Sequence, residues 1–562
     1  LLETRNKPYT TTLANIKMTK PSKFYIKKQK VAKIFIFILL QIICIYLVNK
    51  IEYGRKGIGN SVINFLKFDF IFITLISLLF LMILKDNLKS YVFLILTTIL
   101  FYVFVNEFYI NFKRIPKISE VSEVPELLGI LSAKNLIIFM IFSLSYLSFF
   151  VSLLNFSKRK YVLFFIITLC LVYIVRINPK LYINIYNTLG FEYIEWDSKR
   201  SARSNGYLNF IIYEEAKRNL AMKSLSEKQI IISKFSDKLL SKINKKNIHL
   251  IVLESFYDPN KFEKLTFSEN PMHNDFLDIY EKQNISNSPV YGGGTAQVEF
   301  ELLTGAPALH KYSNIEFNLF TGNVIDNSLP ERLNNLGYTT IATNSLTPDV
   351  FNAQKAYESL GFQKQYYISG ETYLKKRKND RFIFDGDLFN QNIQFLEEFF
   401  KKDSTKVIFN YVLGMYGHSP NTIDTKRHPE KIDVFFNKKK LDNEKFKRSI
   451  NQIYYRTRSL STYINRLNKL DPNSLIVIIG DHLPLVSDIY KYGYYDSKIK
   501  KVPFYIINDS KPIKLDEKKY HHYNISDIIL YSIIEKNLNS NQKPKDKYDE
   551  ILYQAIQNKN SN

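Results

Sequence analysis

Long apolar runs constrain this chain more than any other feature of it. Five of them, at about residues 32–50, 63–84, 90–108, 135–156 and 161–178, match the roughly 20 residues with which an α-helix crosses a bilayer. The second contains FIFITLISLLFLMIL and the fifth YVLFFIITLCLVYIV, sequences apolar on every face of a helix. A helix packed on a soluble core keeps a polar stripe, so this composition points to lipid-facing spans. The expected architecture is an N-terminal five-helix transmembrane domain followed by an outer domain, because from Asn247 onward the patterning is that of an ordinary soluble domain.

Basic residues near the span ends set the orientation. Lys17, Lys20, Lys23, Lys27, Lys28, Lys30 and Lys33 crowd the first span, SKRK joins the fourth and fifth, and Lys85 and Lys89 lie between the second and third. All favour the cytoplasm, against a weaker opposing signal from Lys50, Arg55 and Lys56. Five crossings from an inside N-terminus put everything after residue 180 outside. The expected localisation is therefore the cell membrane, multi-pass, with the outer domain extracytoplasmic. Because further spans follow the first apolar run, it does not read as a cleavable signal peptide. The chain opens on Leu1, and Met18 is the expected start, with residues 1–17 upstream of it. Five segments result: a basic cytoplasmic N-terminus (1–31), the transmembrane domain (32–178), an amphipathic helical linker (179–246), the outer domain (247–536) and a mobile polar tail (537–562).

The formal net charge of +24 raises the question of nucleic acid. No nucleic-acid motif accompanies it, and basic residues that fix topology and hold the chain near anionic lipid account for it, so no nucleic-acid partner is expected. The two cysteines, Cys44 and Cys170, both fall in expected spans. The outer domain thus has no disulfide and no thiol chemistry, and its stability must come from an ordinary core.

In that domain short β-rich runs alternate with helical stretches: NIHLIVLES (247–255), YTTIATNS (338–345), KVIFNYVLGM (406–415), SLIVIIGDH (474–482) and VPFYIIN (502–508). The alternation predicts an α/β domain, a largely parallel sheet sandwiched by helices. Ligands of such sheets bind beyond the carboxyl ends of the strands, so the residues at which the apolar runs stop are the ones to read. The first run stops at Glu254, the third leads to His418, and the fourth stops at Asp481 and His482. Singly these are a capping glutamate, a surface histidine and a loop aspartate. Together on one rim, two carboxylates and an imidazole suit a divalent cation such as Mn²⁺, Mg²⁺ or Zn²⁺.

Thr295 follows three glycines and opens an amphipathic helix, TAQVEFELLTG. The glycines allow a tight turn, a metal would lower the pKa of the hydroxyl, and the helix N-terminus would face any bound phosphate. Thr295 is therefore both a candidate nucleophile and a fourth metal ligand. The plainer alternative is a glycine-rich loop with an N-capping threonine.

Taken in order, IVLESF, GGGTAQVEFELLTG, MYGHSP and IVIIGDH after five spans resemble the lipoteichoic acid synthase and phosphoglycerol transferase group of the alkaline phosphatase and sulfatase superfamily. The resemblance implies a sulfatase-like catalytic domain with Glu254, Thr295, Asp481 and His482 on the metal, Mn²⁺ foremost, and His418 contacting substrate or assisting proton transfer. It also implies the reaction. Phosphoglycerol passes from phosphatidylglycerol to Thr295, diacylglycerol leaves, and a hydroxyl of an envelope glycan or glycerophosphate polymer takes the group.

Two positions depart from that family. Its phosphate-binding arginine is matched by Ala353 in DVFNAQKAYESLGF, and an upstream histidine by Asn344. Arg381, Arg456 and Arg458 are candidates to compensate, while Asp385 and Asp387 in FIFDGDLFNQ are candidates for donor or acceptor contacts. One alternative is a phosphoethanolamine transferase using phosphatidylethanolamine, although those enzymes often carry disulfides. A sulfatase proper would need a Cys or Ser motif where TAQVE stands. From another class, an inactive membrane-anchored binding module would be expected to have lost a ligand. His521 and His522 point to opposite faces of a strand, so at most one could reach the cleft, and neither is placed in the core site.

Overall fold

The computed structural model describes residues 23–54, 57–58, 69–112, 115–118, 133–155, 158–190, 198–226, 243–309, 315–368, 380–403, 405–484, 491–494, 500–516, 519–533 and 543–561. Apolar helices form where the apolar runs lie: α1 (Lys23–Gly54), α2 (Asp69–Ile83), α3 (Leu88–Phe112), α4 (Ala133–Leu153) and α5 (Lys158–Arg176). Their large apolar side chains point outward. On α4, Ile137, Ile138 and Ile141 are 56%, 56% and 60% exposed, a surface that suits lipid and that water disfavours.

Among the described residues three helices are long and apolar enough to cross a membrane: Val31–Ile51, Leu88–Ile110 and Leu136–Leu153. A fourth span results if Tyr161–Arg176 and Pro179–Thr188, bent by 86°, count as one broken crossing. The second of the five expected spans is described only in part, as α2. Its 15 residues rise only about 22 Å, against roughly 30 Å of hydrocarbon. The start of that expected span, residues 63–68, lies outside the described residues.

The linker is helical as expected, in α6 (Pro179–Thr188), α7 (Ser198–Asn205) and α8 (Tyr207–Ser226), while residues 227–242 lie outside the described residues. It is also anchored. The Asp69 carboxylate at the start of α2 accepts from the Tyr207 and Asn209 amides at 2.6 and 3.1 Å and from the Tyr102 hydroxyl at 2.6 Å. It thereby caps the first turn of α8. Only glycine allows this approach, since a Cβ on Gly206 would lie 2.2 Å from Asp69 Cγ.

The outer domain is built on one nine-stranded sheet. Its strands are β1 (Ile248–Leu253), β2 (Asn284–Asn287), β3 (Thr339–Asn344), β4 (Lys364–Tyr367), β5 (Ile408–Gly414), β6 (Leu475–Gly480), β7 (Lys501–Asn508), β8 (Lys511–Ile513) and β9 (Tyr520–His521). The order is β9-β2-β7-β6-β1-β5-β3-β4, with β8 paired to β7. The five expected runs all became strands. β1 lies between β5 and β6 and parallel to both, and all six of its residues are buried, which is why it reads as an unbroken apolar run rather than an alternation. β7 is antiparallel to its neighbours.

Helices α9 (Thr295–Thr304), α10 (Leu329–Asn335), α11 (Ala353–Ser359), α12 (Asp385–Lys402), α13 (Glu444–Leu470) and α14 (Ile525–Ile533) cover the sheet. Two apolar cores result, one including Val298, Leu302 and Ile529, the other Leu388, Ile450 and Ile464. The expected mobile tail is corrected as well: Pro544–Ser561 is a helix, α15. Tyr548, Ile551, Leu552 and Ala555 follow the helical i, i+3, i+4, i+7 spacing and sit in the first core, each at most 1% exposed.

Candidate active site

Register brings the chemistry together. In the parallel triplet β5-β1-β6, Leu253 pairs with Gly414 on one side and Gly480 on the other, so the three strands end level. The next residues, Glu254 and Asp481, leave the sheet side by side. The Asp481 amide donates to the Leu253 carbonyl at 3.1 Å and the Glu254 amide to that of Gly414 at 2.8 Å. Thr295, first residue of α9, enters from above. Its Oγ1 stands 2.9 Å from Glu254 Oε2 and 3.0 Å from Asp481 Oδ2. His482 Nε2 lies 3.2 Å from Asp481 Oδ2 and 3.5 Å from Glu254 Oε1.

These four side chains are at most 3% exposed. The pocket they form has more lone pairs than protons, because one threonine hydrogen cannot satisfy two carboxylates and a neutral imidazole offers Nε2 as an acceptor. Nε2 accordingly has no hydrogen-bond partner among the described residues. Burial disfavours the charged imidazole and lowers the His482 pKa, keeping it in the ligating form. Burial, and then the Glu254 charge, push Asp481 well above the usual carboxylate range. A cation relieves both terms at once, and Glu254, Asp481 and His482 offer ligand atoms within 4.8 Å of one another. The donor set of two carboxylates, one imidazole and one hydroxyl fits a divalent metal.

The surrounding backbone holds this geometry. His482 Nδ1 donates to the Leu483 carbonyl at 3.0 Å, which leaves the Nε2 lone pair for a ligand, and the same carbonyl accepts from the Gly292 amide at 3.1 Å. The glycine turn is thereby tied to the loop that follows β6. Gly294 caps α9 at φ +89, where a Cβ would meet Gln297 Oε1 at 2.8 Å.

His418 follows β5 on the same rim. Its Nδ1 pairs with the Ser419 carbonyl at 2.8 Å and its ring packs on Phe382 at 4.8 Å between centroids. Arg381, the residue before Phe382, is part-buried, and its amide donates to Thr422 Oγ1 at 2.9 Å. The other two acidic candidates are engaged elsewhere. Asp385 is fully buried against Arg456 at 2.6 Å, and Asp387 binds both Arg427 nitrogens at 2.6 and 2.7 Å. Asn344 receives the Leu346 amide and donates to the Tyr357 hydroxyl, while Ala353 is buried at the start of α11. His522 bonds the Gly480 carbonyl through Nε2 at 3.0 Å, bracing the residue before Asp481.

Two contributors were not legible in the sequence. Ser255, in left-handed backbone at φ 48, gives its amide to Asp481 Oδ1 at 2.7 Å and its hydroxyl to Glu254 Oε1 at 2.7 Å. Only its place after the strand-ending glutamate could have flagged it. Gly417 is the second: a Cβ there would lie 2.1 Å from the Glu254 carbonyl oxygen and 2.4 Å from Arg456 Nη1, so any side chain would force the rim apart.

An α/β sheet whose strand ends gather such a donor set around a helix-borne hydroxyl is of the sulfatase class. Residues 246–533 of the 562 match the sulfatase family model, and the chain belongs to that family. Members of that family are metal-dependent, and Glu254, Asp481 and His482 form a group that could hold a metal here. A relative from Rhizobium meliloti (strain 1021), provisionally named a cyclic beta-1,2-glucan modification protein, is 26% identical over 315 residues, 54% of this chain and 46% of the relative. The chain thus spans about half the length of that relative. Among solved structures, a phosphoglycerol transferase of Streptococcus pyogenes bound to sn-glycerol-1-phosphate is similar at 18% identity and a TM-score of 0.44, over 61% of this chain and 86% of that one. A lipoteichoic acid synthase of Listeria monocytogenes aligns at 15% identity and 0.41, over 60% and 97%. The zinc complex of the periplasmic domain of EptC from Escherichia coli aligns at 12% and 0.38, over 54% and 85%.

Proposed function

We propose that the protein moves a phosphoglycerol group from phosphatidylglycerol, through a covalent Thr295 intermediate, to a hydroxyl of an envelope glycan or glycerophosphate polymer. The observation that carries the reading is the Thr295 hydroxyl, placed at the N-terminus of a buried helix within 3.0 Å of two carboxylates. A catalytically inactive module would have no need to keep such a set intact.

A divalent cation, Mn²⁺ foremost with Mg²⁺ or Zn²⁺ as alternatives, would be held by Glu254, Asp481, His482 and Thr295 and would make the hydroxyl more acidic. The residues themselves do the rest. Thr295 Oγ1 forms the bond to phosphorus and yields its proton to the carboxylate it faces. The bond to the diacylglycerol oxygen breaks, and that oxygen takes a proton. His418 is suited to supply it, since its Nδ1 is committed to the Ser419 carbonyl and its Nε2 remains available. The acceptor hydroxyl then attacks the threonine phosphodiester, giving its proton to the same imidazole, and the bond from phosphorus to Thr295 Oγ1 breaks as that oxygen takes back the proton held by the carboxylate. The α9 amides face the phosphate oxygens. In place of the missing arginine at Ala353, Arg381 beside Phe382 and His418 is the proposed phosphate contact.

The apolar helices suit a lipid donor, and the basic residues around them support a membrane protein with residues 247–536 as an extracytoplasmic catalytic domain. The glycan named for the Rhizobium meliloti relative supports a glycan acceptor. The test is to incubate the full-length protein and Mn²⁺ with headgroup-labelled phosphatidylglycerol or phosphatidylethanolamine, and to map label on the Thr295 peptide by mass spectrometry. Phosphoglycerol on Thr295 is expected. Phosphoethanolamine there would keep the mechanism and change the donor, and no adduct from either lipid would refute the reading.

A further inference from the structure

Beside the Tyr416–His418 turn a cleft of about 280 Å³ opens between the start of α12, the loop at Arg427 and His428, and the outer face of α13. Its wall is aromatic. Phe384 meets His428 at 4.3 Å and His428 meets Tyr455 at 4.5 Å between centroids, with the Arg427 guanidinium 4.7 Å over Phe384. Arg458 and Arg466 line the same cleft. Arg427 is bound by Asp387, and Arg466 by Asn390 and Glu397. Arg458 is exposed and forms no ion pair among the described residues, which leaves one of the three guanidiniums without a carboxylate of its own.

The geometry of α13 separates this cleft from the metal. Residues 455, 458, 462 and 466 recur at helical spacing on one face, whereas Arg456, two residues and about 200° before Arg458, turns inward to Asp385 and Gly417. The two places are nevertheless joined: Phe384, Tyr416 and Tyr455 form one small apolar cluster, and Tyr416 is two residues from His418. The rings are at most 8% exposed and pack on one another, so they present edges to the cleft, and the guanidinium forks beside them suit a sugar that carries a phosphate. The volume lies at the lower edge of ligand pockets, about 300 Å³, which admits a sugar phosphate and excludes a diacyl lipid.

We propose that this cleft is an acceptor subsite, holding a phosphate-bearing sugar unit of the glycan while a neighbouring hydroxyl of the same chain reaches Thr295. The proposal rests on the transfer reading above, but its binding step can be read without turnover. Full-length Thr295→Ala protein with Mn²⁺ is titrated with a labelled glucose oligosaccharide bearing one 6-phosphate. Saturable binding is expected, weakened at least tenfold by removing the phosphate from the probe and at least tenfold by adding Arg458→Ala. Equal affinity for the phosphorylated and plain oligosaccharides overturns the proposal. So does an unchanged affinity in the Arg458→Ala background, or competition by inorganic phosphate as strong as by the sugar phosphate. With Thr295 intact, Arg458→Ala should label Thr295 from phosphatidylglycerol at the wild-type level while transfer to the phosphorylated acceptor falls tenfold. Loss of Thr295 labelling in that variant would place Arg458 at the donor site and overturn the proposal. Absence of label in the wild type would refute the transfer reading alone.

Discussion

Two fully buried charged clusters meet at Gly417, and they are built on opposite principles. Arg456 and Asp385, 1% and 0% exposed, form a pair in which each charge has its counterpart. Glu254, Asp481 and His482, equally buried, bring two carboxyl groups and a neutral base to one point. In the first cluster the two charges balance within the chain, with Arg456 Nη2 left without a hydrogen-bond partner among the described residues. The second offers charge and lone pairs that a cation would satisfy, which makes it the candidate site. Glu299, one turn along α9 from Thr295, shows the intermediate case: a buried carboxylate satisfied by the Tyr357 and Tyr411 hydroxyls at 2.6 and 2.8 Å.

The comparison can be broken at several points. Thr295→Ala should reduce transfer on the order of 10³-fold or more, with an unchanged circular dichroism spectrum and membrane fraction. Wild-type turnover in that variant would remove the nucleophile from the second cluster. At the first cluster, Arg456→Leu strands the Asp385 charge and should cost about 3–5 kcal/mol, read as a fall in the melting temperature of the full-length protein in detergent. A neutral result would mean that Asp385 is not ionised there.

Glu299 sharpens the contrast through pH. Burial pushes its carboxyl up to about 7 from the free value of 4.5, with the two tyrosine hydroxyls opposing. The folded state therefore binds the proton more tightly than the unfolded one. The associated stability is full below about pH 4.5, declines as pH rises toward 7 and is lost above it, by up to about 3 kcal/mol. Wild type minus Glu299→Gln should show that decline in melting experiments across pH 4.5–7, and a flat difference would contradict it. Smallest in stability is the metal itself. Chelation should withdraw about 2.7 kcal/mol if the ion had stood at a hundred times its Kd. Asp481→Asn should lower metal content by elemental analysis, and full occupancy in that variant would strike Asp481 from the ligand set.

Much of this was readable from residue order. Each strand of the central triplet is an apolar run, and the first polar residue after it is where a parallel sheet presents ligands, so Glu254, Asp481 and His482 could be located without coordinates. Less readable were residues whose role depends on a distant partner. Asp385 and Asp387 looked alike as acceptor contacts, yet one lies buried against Arg456 and the other holds Arg427. The helix at Pro544–Ser561 was hidden because four apolar residues among many polar ones signal a buried stripe only when a surface exists to receive them.

The sequence by itself determined the apolar anchor, the α/β class of the outer domain and the identity of the residues at the strand ends, because hydrophobic periodicity and strand termination are local properties. The tertiary structure alone decided that Asp69 caps a helix beginning at Tyr207, and that Thr295 comes within 3.0 Å of Glu254 and Asp481. Those facts join residues 41 to 186 positions apart, and only the packing of helices on the sheet brings such residues together.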